Sequence, residues 1–292
     1  MSGRGVSKLR TPPNGYWPGH YTERDDGKIR FETYSKSEGE DSLRSRLLRS
    51  TTSKWPAVVD RKRALDLAER LENAVLQEEV LESAASSLYW REHRGNLAGW
   101  LWWLRNRYPH LLQALCTVIC QYWEIPAADL ERFAPSLFLN RFRSLANHYG
   151  AAQADGYLAA GLHSEFVPET EVFRMHIHAI AAGGMIDVVD TMRQSPMLRG
   201  FTDILGEESV ERRAVKIQRD VKNLPDPLTY AVQSFAPVRV WGSPGTGEMR
   251  GKRRRIPEPY HSQYLLWLDR WRLEDLTLLI GLRVTASGLK LT

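Results

Sequence analysis

The sequence predicts an α+β fold in which a central antiparallel sheet is flanked by helices, with helical additions at both ends of the chain. Between residues 113 and 240, segments with strand periodicity and segments with helical periodicity follow one another. They lack the regular strand–helix–strand rhythm of parallel sheets, and this favours an antiparallel sheet. Of the 292 residues, 42% are hydrophobic and 26% are charged, which is the balance of a globular domain.

Charge and cysteine content narrow the classes of function. The formal net charge of +5 is compatible with a polyanionic partner. The two cysteines, Cys116 and Cys120, share one apolar segment and suit neither a disulfide framework nor a zinc site, so we expect reduced core thiols. The sequence contains no long apolar run and no apolar stretch behind the N-terminal charges, which predicts a cytoplasmic protein without a membrane partner.

Two segments precede the predicted core. Residues 1–56 are rich in Ser, Arg, Glu, Asp and Gly and poor in aliphatic side chains, which predicts a disordered basic and polar tail. Residues 57–110 carry apolar side chains at spacings of three and four, which predicts a helical N-terminal extension.

The predicted core, residues 111–240, contains three apolar strands. They are ALCTVICQYW, GYLAAGLHSEFV and FRMHIHAIAAGG, and a helix is predicted at DPLTYAVQSF. Residues 241–292 form a Gly- and Pro-rich basic linker followed by two predicted helices, at about 258–271 and 273–282.

The third strand contains two histidines separated by one isoleucine. Side chains at i and i+2 of a strand share a face, about 6.6–6.8 Å apart, so His176 and His178 point the same way. On the preceding strand His163 and Glu165 share a face, and a hairpin between the strands would set Glu165 beside His176. Two histidines and a carboxylate with open positions suit a divalent metal that also binds substrate. The alternative is a set of polar residues on a solvated sheet face.

A candidate nucleophile follows in LPDPLTYAVQSF. Asp226 can cap a helix with Pro227 at its first position, which places Tyr230 near the positive end of the helix. There a phenolate or a bound phosphate is favoured, and tyrosine can form covalent intermediates. The alternative is a tyrosine packed on an amphipathic helix. Tyr260 and Tyr264, four residues apart, form a rival pair, of which Tyr264 is expected in the core.

In their order these segments resemble the HUH endonucleases, in particular the replication initiators of rolling-circle plasmids. A first strand is matched by CTVICQYWEIP and the strand with paired histidines by RMHIHAI. The acidic metal-binding residue of the preceding strand is matched by Glu165, and the catalytic tyrosine by Tyr230, some tens of residues later. The resemblance covers about residues 110–240.

The resemblance implies a sheet flanked by helices, akin to RNA-recognition modules, and a DNA-nicking activity. Tyr230 would attack a scissile phosphate in single-stranded or hairpin DNA at an origin. Mg²⁺ or Mn²⁺ at Glu165, His176 and His178 would polarise that phosphate. The products would be a 5′-phosphotyrosine and a free 3′-OH that primes rolling-circle replication, with a host helicase and polymerase as further partners.

The chain departs from the family pattern after the tyrosine. Many relatives carry a lysine three residues later, where this chain has Gln233, which can hydrogen-bond a phosphate but supplies no charge. Lys216 and Lys222, nearby in sequence, are candidates to replace that charge. The basic run at Arg250, Lys252, Arg253, Arg254 and Arg255 fits contacts to backbone phosphates, with a solvated charge run as its alternative.

Other functions stay open on sequence alone. A transposase or relaxase would use the same motifs, and a non-catalytic DNA-binding protein would keep the fold without the chemistry. An unrelated metallohydrolase would use the same histidines with water as nucleophile. It would need a further ligand from His148, His163 or His261.

Overall fold

The structure is a computed structural model that describes residues 8–20, 31–55, 58–198, 201–205, 208–219, 221–232, 236–238 and 254–292. Six α-helices lie in these ranges. They are α1 (Tyr34–Lys54), α2 (Arg61–Leu76), α3 (Ser87–Arg107), α4 (Pro135–His148), α5 (Met185–Thr191) and α6 (Tyr260–Leu268).

The strands form a seven-stranded sheet and two separate hairpins. They are β1 (Gln113–Pro126), β2 (Gly156–Val167), β3 (Val172–Gly183), β4 (Phe201–Leu205), β5 (Glu208–Arg212), β6 (Val215–Gln218), β7 (Pro237–Val238), β8 (Arg254–Arg255), β9 (Thr277–Ile280), β10 (Leu282–Thr285) and β11 (Gly288–Leu291). The sheet has the order β6-β1-β3-β2, and β2 also pairs with β9 and β7. All of these pairs are antiparallel except β2 with β7, so the sheet is mixed. The predicted α+β fold with a central sheet flanked by helices is confirmed at this level.

Helices cover both faces of the sheet. On one face lie α3 and a six-residue 3-10 helix, Asp226–Ala231. The Gln113 amide on this face donates to the Leu101 carbonyl of α3 at 2.9 Å. On the opposite face, α6 packs its tyrosines on Phe166 and Phe173, both fully buried. The face under α3 carries the histidines, and we call it the histidine face.

The prediction of a disordered tail over residues 1–56 is wrong for residues 34–54, which form α1. This helix is held largely by buried polar side chains. Arg44 donates to the Ala85 carbonyl at 2.8 Å, Ser45 donates to the Ala68 carbonyl at 2.9 Å, and Asp41 accepts from the Ser86 hydroxyl. Residues 1–7, 21–30 and 56 of the predicted tail lie outside the described residues.

In the segment DPLTYAVQSF, predicted to be an α-helix, residues 226–231 form a 3-10 helix instead, and it begins at Asp226, so that Asp226 is not its N-cap; residues 233–235 lie outside the described residues. At its end Arg94 of α3 donates to the Thr229 carbonyl at 3.0 Å, which ties the 3-10 helix to α3.

The second predicted C-terminal helix, at about 273–282, is also wrong. Residues 273–276 form one 3-10 turn, and Thr277–Ile280 form strand β9, which pairs with β2. The run TLLI is short and apolar, and periodicity alone does not separate a strand from a helix at that length. The hairpin of β10 and β11 follows this segment.

Both cysteines are free thiols and buried, as predicted, and burial raises the pKa of Cys116 to about 12. In the described part of the chain, helices that combine the length and the apolar character needed to cross a bilayer do not occur.

Candidate active site on the histidine face

Strand alternation separates the two sides of β3 as the sequence predicts. Met175 and Ile177 are fully buried against the core, whereas His176 and His178 keep part of their surface accessible. The paired histidines therefore share one face and can be reached from it.

A third histidine joins them. The β2–β3 register sets His163 directly opposite His176. The ring centroids of His176 and His178 lie 4.8 Å apart, those of His163 and His178 lie 4.7 Å apart, and those of His163 and His176 lie 5.8 Å apart. We call these three residues the histidine cluster.

Hydrogen bonds to carbonyl oxygens determine which ring nitrogen carries the proton in His163 and His176. The Nε2 atom of His163 lies 3.2 Å from the Ala231 carbonyl oxygen, and Nδ1 of His176 lies 3.3 Å from the Arg174 carbonyl oxygen. Because a carbonyl only accepts, both nitrogens carry hydrogen, and in a neutral ring the lone pair is on the other nitrogen. Nδ1 of His178 lies 3.0 Å from the Thr117 hydroxyl oxygen, which can donate to this nitrogen or accept from it and orients the ring in either case.

Burial holds His163 in its neutral form. Loss of solvent, followed by the charges of His178 and His176, brings the pKa of His163 well below its ordinary value of 6.5. Neutral imidazole is the form that binds a metal ion.

Glu165 is engaged by a neighbouring arginine. The register sets Glu165 opposite Arg174, whose guanidinium lies 3.8 Å from the Glu165 carboxylate and 2.5 Å from that of Glu124. The sequence predicted that the hairpin would set Glu165 beside His176. In the structure Glu165 and His176 are diagonal neighbours on adjacent strands, because His163 lies directly opposite His176.

The histidine cluster fits a divalent metal by donor type but is not a complete ligand set. Neutral imidazoles with their second nitrogens oriented by a carbonyl or a hydroxyl are suitable ligands. The rings, however, contact one another edge to face or tilted. Within the described ranges no group of three or more His, Cys, Asp or Glu side chains is arranged to hold a metal ion.

Tyr230 lies on the 3-10 helix that packs over the histidine cluster. Ala231, the next residue, provides the carbonyl that accepts from His163, while the Tyr230 side chain is 40% exposed. Gly161 of β2 permits this approach, because a β-carbon there would collide with the Ala231 carbonyl oxygen. Only a glycine lets the helix come this close to the sheet.

Arg94 of α3 holds the same 3-10 helix from the other side. It donates to the Thr229 hydroxyl at 2.9 Å in addition to the Thr229 carbonyl, and it pairs with Glu32 at 2.6 Å. The segment that carries Tyr230 is thus fixed on one side by the sheet and on the other by a nearly buried ion pair.

The rival tyrosines lie on the opposite face of the sheet. Tyr264 stacks on Phe173 with ring centroids 5.4 Å apart, and Tyr260 packs on Phe166 with centroids 4.7 Å apart. Burial raises the pKa of Tyr264 to about 12, and this side chain is part of the core, as expected. The sheet itself separates both tyrosines from the histidine cluster.

Most of the predicted DNA-binding residues fall outside the described ranges, namely Gln233, Arg250, Lys252 and Arg253. Arg254 is exposed. Arg255 makes a bidentate ion pair with Glu40 of α1, with both N–O distances 2.6 Å, so its guanidinium anchors β8 to α1. The prediction of a phosphate contact does not suit Arg255 in this arrangement.

Sequence reasoning named His163, on the same face as Glu165, only as a ligand of the alternative metallohydrolase, and it missed Arg94. Arg94 carries no signal in the sequence, because its contact with Thr229 joins segments far apart in the chain.

Comparison of the chain with models of known families, with curated proteins and with solved structures finds no match.

Proposed function

We propose that this protein is a metal-dependent endonuclease that nicks single-stranded DNA with Tyr230 as its nucleophile, in the manner of a rolling-circle replication initiator. The observation that carries the proposal is the contact between His163 and the Ala231 carbonyl, which brings the residue next to Tyr230 onto the histidine cluster. Its partner would be single-stranded or hairpin DNA at an origin. Transposition and conjugation use the same step.

In the proposed reaction the Tyr230 oxygen forms a bond to phosphorus, and the bond from phosphorus to the 3′ oxygen breaks. The phenol proton is released as the new bond forms, and the leaving oxygen takes up a proton to become a 3′-OH. The partial exposure of Tyr230 allows a DNA strand to reach it, and the contacts of Arg94 with Thr229 restrain the segment that presents it.

His176 and His178 would hold a divalent metal, with His163 beside them. When bound, such an ion would polarise the scissile phosphate. A site made mainly of imidazole suits Mn²⁺ better than Mg²⁺, since Mg²⁺ prefers oxygen ligands and the Glu165 carboxylate pairs with Arg174.

A nicking assay tests the proposal. Circular single-stranded DNA from the genetic element that carries the gene is incubated with protein and Mn²⁺, and covalent adducts are separated on a denaturing gel. We expect an adduct with the natural protein and with Tyr260→Phe, a matched control on the opposite face. Tyr230→Phe and His176→Ala should lose it. An adduct that survives Tyr230→Phe would overturn the assignment of the nucleophile.

A second candidate is a metal-dependent hydrolase that uses water, and the presence of His163 in the histidine cluster favours it specifically. The same assay separates the two functions. Cleavage without an adduct, unaffected by Tyr230→Phe but abolished by His163→Ala, would identify the hydrolase.

A further inference from the structure

The strand β1 makes a large bulge beside the histidine cluster. Ile119 pairs with His176 and Glu124 pairs with Arg174, so four residues of β1 lie opposite one residue of β3. Bulges of this kind are common next to active sites, where they redirect a side chain.

The bulge is anchored at both ends and displays an aromatic ring between them. The Cys120 thiol donates to the Met197 carbonyl at 3.0 Å, and Trp123 packs on Phe138 with ring centroids 4.4 Å apart. Tyr122, between these anchors, is 69% exposed. Trp123 packs among the aromatic side chains of the face opposite the histidines, so strand alternation from Trp123 sets its neighbour Tyr122 on the histidine face. A large exposed ring on a fixed backbone is suited to stacking.

An exposed cation lies on the next strand outward. Lys216 of β6 pairs with Thr117, and Thr117 contacts His178, so Lys216 shares their face. β6 is the edge strand of the sheet on this side, and the Lys216 side chain is exposed. A lysine here can reach a phosphate that passes over the histidine cluster.

We infer that Tyr122 and Lys216 form a binding surface for the DNA strand beside the histidine cluster. One base of the strand stacks on Tyr122, and one backbone phosphate binds Lys216. Exposed aromatic rings next to basic side chains are how proteins bind single strands without reading sequence. This inference rests on the proposed function and adds the path of the substrate, along the β6–β1 side of the site.

The test measures binding separately from cleavage. Fluorescence anisotropy of a labelled single-stranded oligonucleotide is recorded over a series of salt concentrations with full-length protein carrying Tyr230→Phe. The added changes are Tyr122→Ala, Tyr122→Phe and Lys216→Ala. Matched controls are Tyr34→Ala and Lys290→Ala, an exposed tyrosine at the start of α1 and an exposed lysine on β11.

We expect Tyr122→Ala to weaken binding about tenfold and Tyr122→Phe to restore it, since phenylalanine still stacks. Lys216→Ala should lower the slope of log affinity against log salt by about 0.7, the loss of one phosphate contact on a single strand. Photocross-linking with 5-iododeoxyuridine should place the adduct on the peptide that contains Tyr122.

Equal affinity of Tyr122→Ala and Tyr34→Ala, or an unchanged salt slope for Lys216→Ala, would overturn the inference while leaving nicking by Tyr230 untouched. Conversely, absence of nicking together with the expected binding effects would reject the proposed function and keep the binding surface.

Discussion

The imidazole of His163 donates to the carbonyl oxygen of Ala231 at 3.2 Å, and this hydrogen bond joins the central sheet to the segment that carries Tyr230. Two residues that are far apart in the chain thereby bring a candidate nucleophile to a cluster of three histidines. The 3-10 helix is short, so its position depends on such contacts more than on its own hydrogen bonds.

The close approach of this helix makes Gly161 a sensitive position. In Gly161→Ala the new methyl group would collide with the Ala231 carbonyl, so the helix must move away from the histidine cluster. We expect a loss of about 1–3 kcal/mol in the free energy of unfolding and a strong decrease in adduct yield. Urea unfolding and the nicking assay measure the two effects. Gly39→Ala is the control, since a methyl group there meets no atom within 4 Å and should stabilise α1 slightly. Full nicking by Gly161→Ala would show that the approach is unnecessary.

Arg94 is expected to position the Tyr230 segment. Arg94→Ala removes two hydrogen bonds to Thr229 and leaves Glu32 nearly buried without this partner, at a cost of about 3 kcal/mol. The rate constant of nicking should fall more than the affinity for DNA, because the substrate surface is elsewhere. Arg91→Ala is the matched control. Arg91 packs on the same Phe31 ring and donates a hydrogen bond to the Glu32 carbonyl, but Thr229 is not among its hydrogen-bond partners. Similar kinetic losses in both variants would indicate a general structural role instead.

Metal affinity should distinguish His163 from Glu165. Calorimetric titration with Mn²⁺ is expected to show binding weakened at least about tenfold by His163→Ala and by His176→Ala. Glu165→Gln should have a smaller effect, because this carboxylate pairs with Arg174. A loss in Glu165→Gln as large as that in His176→Ala would restore the ligand set implied by the family resemblance.

Stability should decrease in mild acid. Burial lowers the pKa of His93 from 6.5 to about 4, and burial also lowers the pKa of His163. The unfolded chain then binds these protons at higher pH than the folded chain. The free energy of unfolding that the neutral histidines contribute is therefore complete above about pH 6.5. It is lost as the pH falls toward the pKa of these histidines in the folded protein. For His93 alone the loss between pH 8 and pH 5 is about 2 kcal/mol.

Urea unfolding at pH 8 and pH 5 measures this effect. His93→Gln, which can still bond Thr277, should reduce the difference by about 2 kcal/mol. His110→Gln, at an exposed position, is the control for replacing a histidine. An identical pH dependence in His93→Gln and the natural protein would contradict the prediction.

Neighbouring arginines of β8 should behave differently. Arg255→Ala breaks the ion pair with Glu40 and is expected to lower the free energy of unfolding by about 2 kcal/mol. The DNA affinity of the folded protein should change little. Arg254→Ala, at an exposed site, should leave stability unchanged. Urea unfolding and the salt dependence of DNA binding compare the two. If Arg255→Ala changes the salt dependence of DNA binding and Arg254→Ala does not, Arg255 contacts DNA after all.

The sequence by itself determined the central strands and the face that the paired histidines share. Alternating burial is a local property of a strand, so His176, His178 and the buried Ile177 could be assigned from their spacing. For the same reason His163 was available to sequence reasoning. The short 3-10 helix and strand β9 could not be predicted from the sequence, because a few residues adopt whichever conformation their tertiary contacts favour.

Only the tertiary structure decided what surrounds these histidines. The register of β2 and β3 sets His163 opposite His176 and Glu165 opposite Arg174. A shift of this register by one residue would move every side chain of one strand to the other face of the sheet. Helix α1 shows the same limit, since its composition resembles a disordered tail. Its buried Asp41 and Arg44 are satisfied by residues beyond α2, and these long-range hydrogen bonds stabilise a polar helix that local composition alone does not predict.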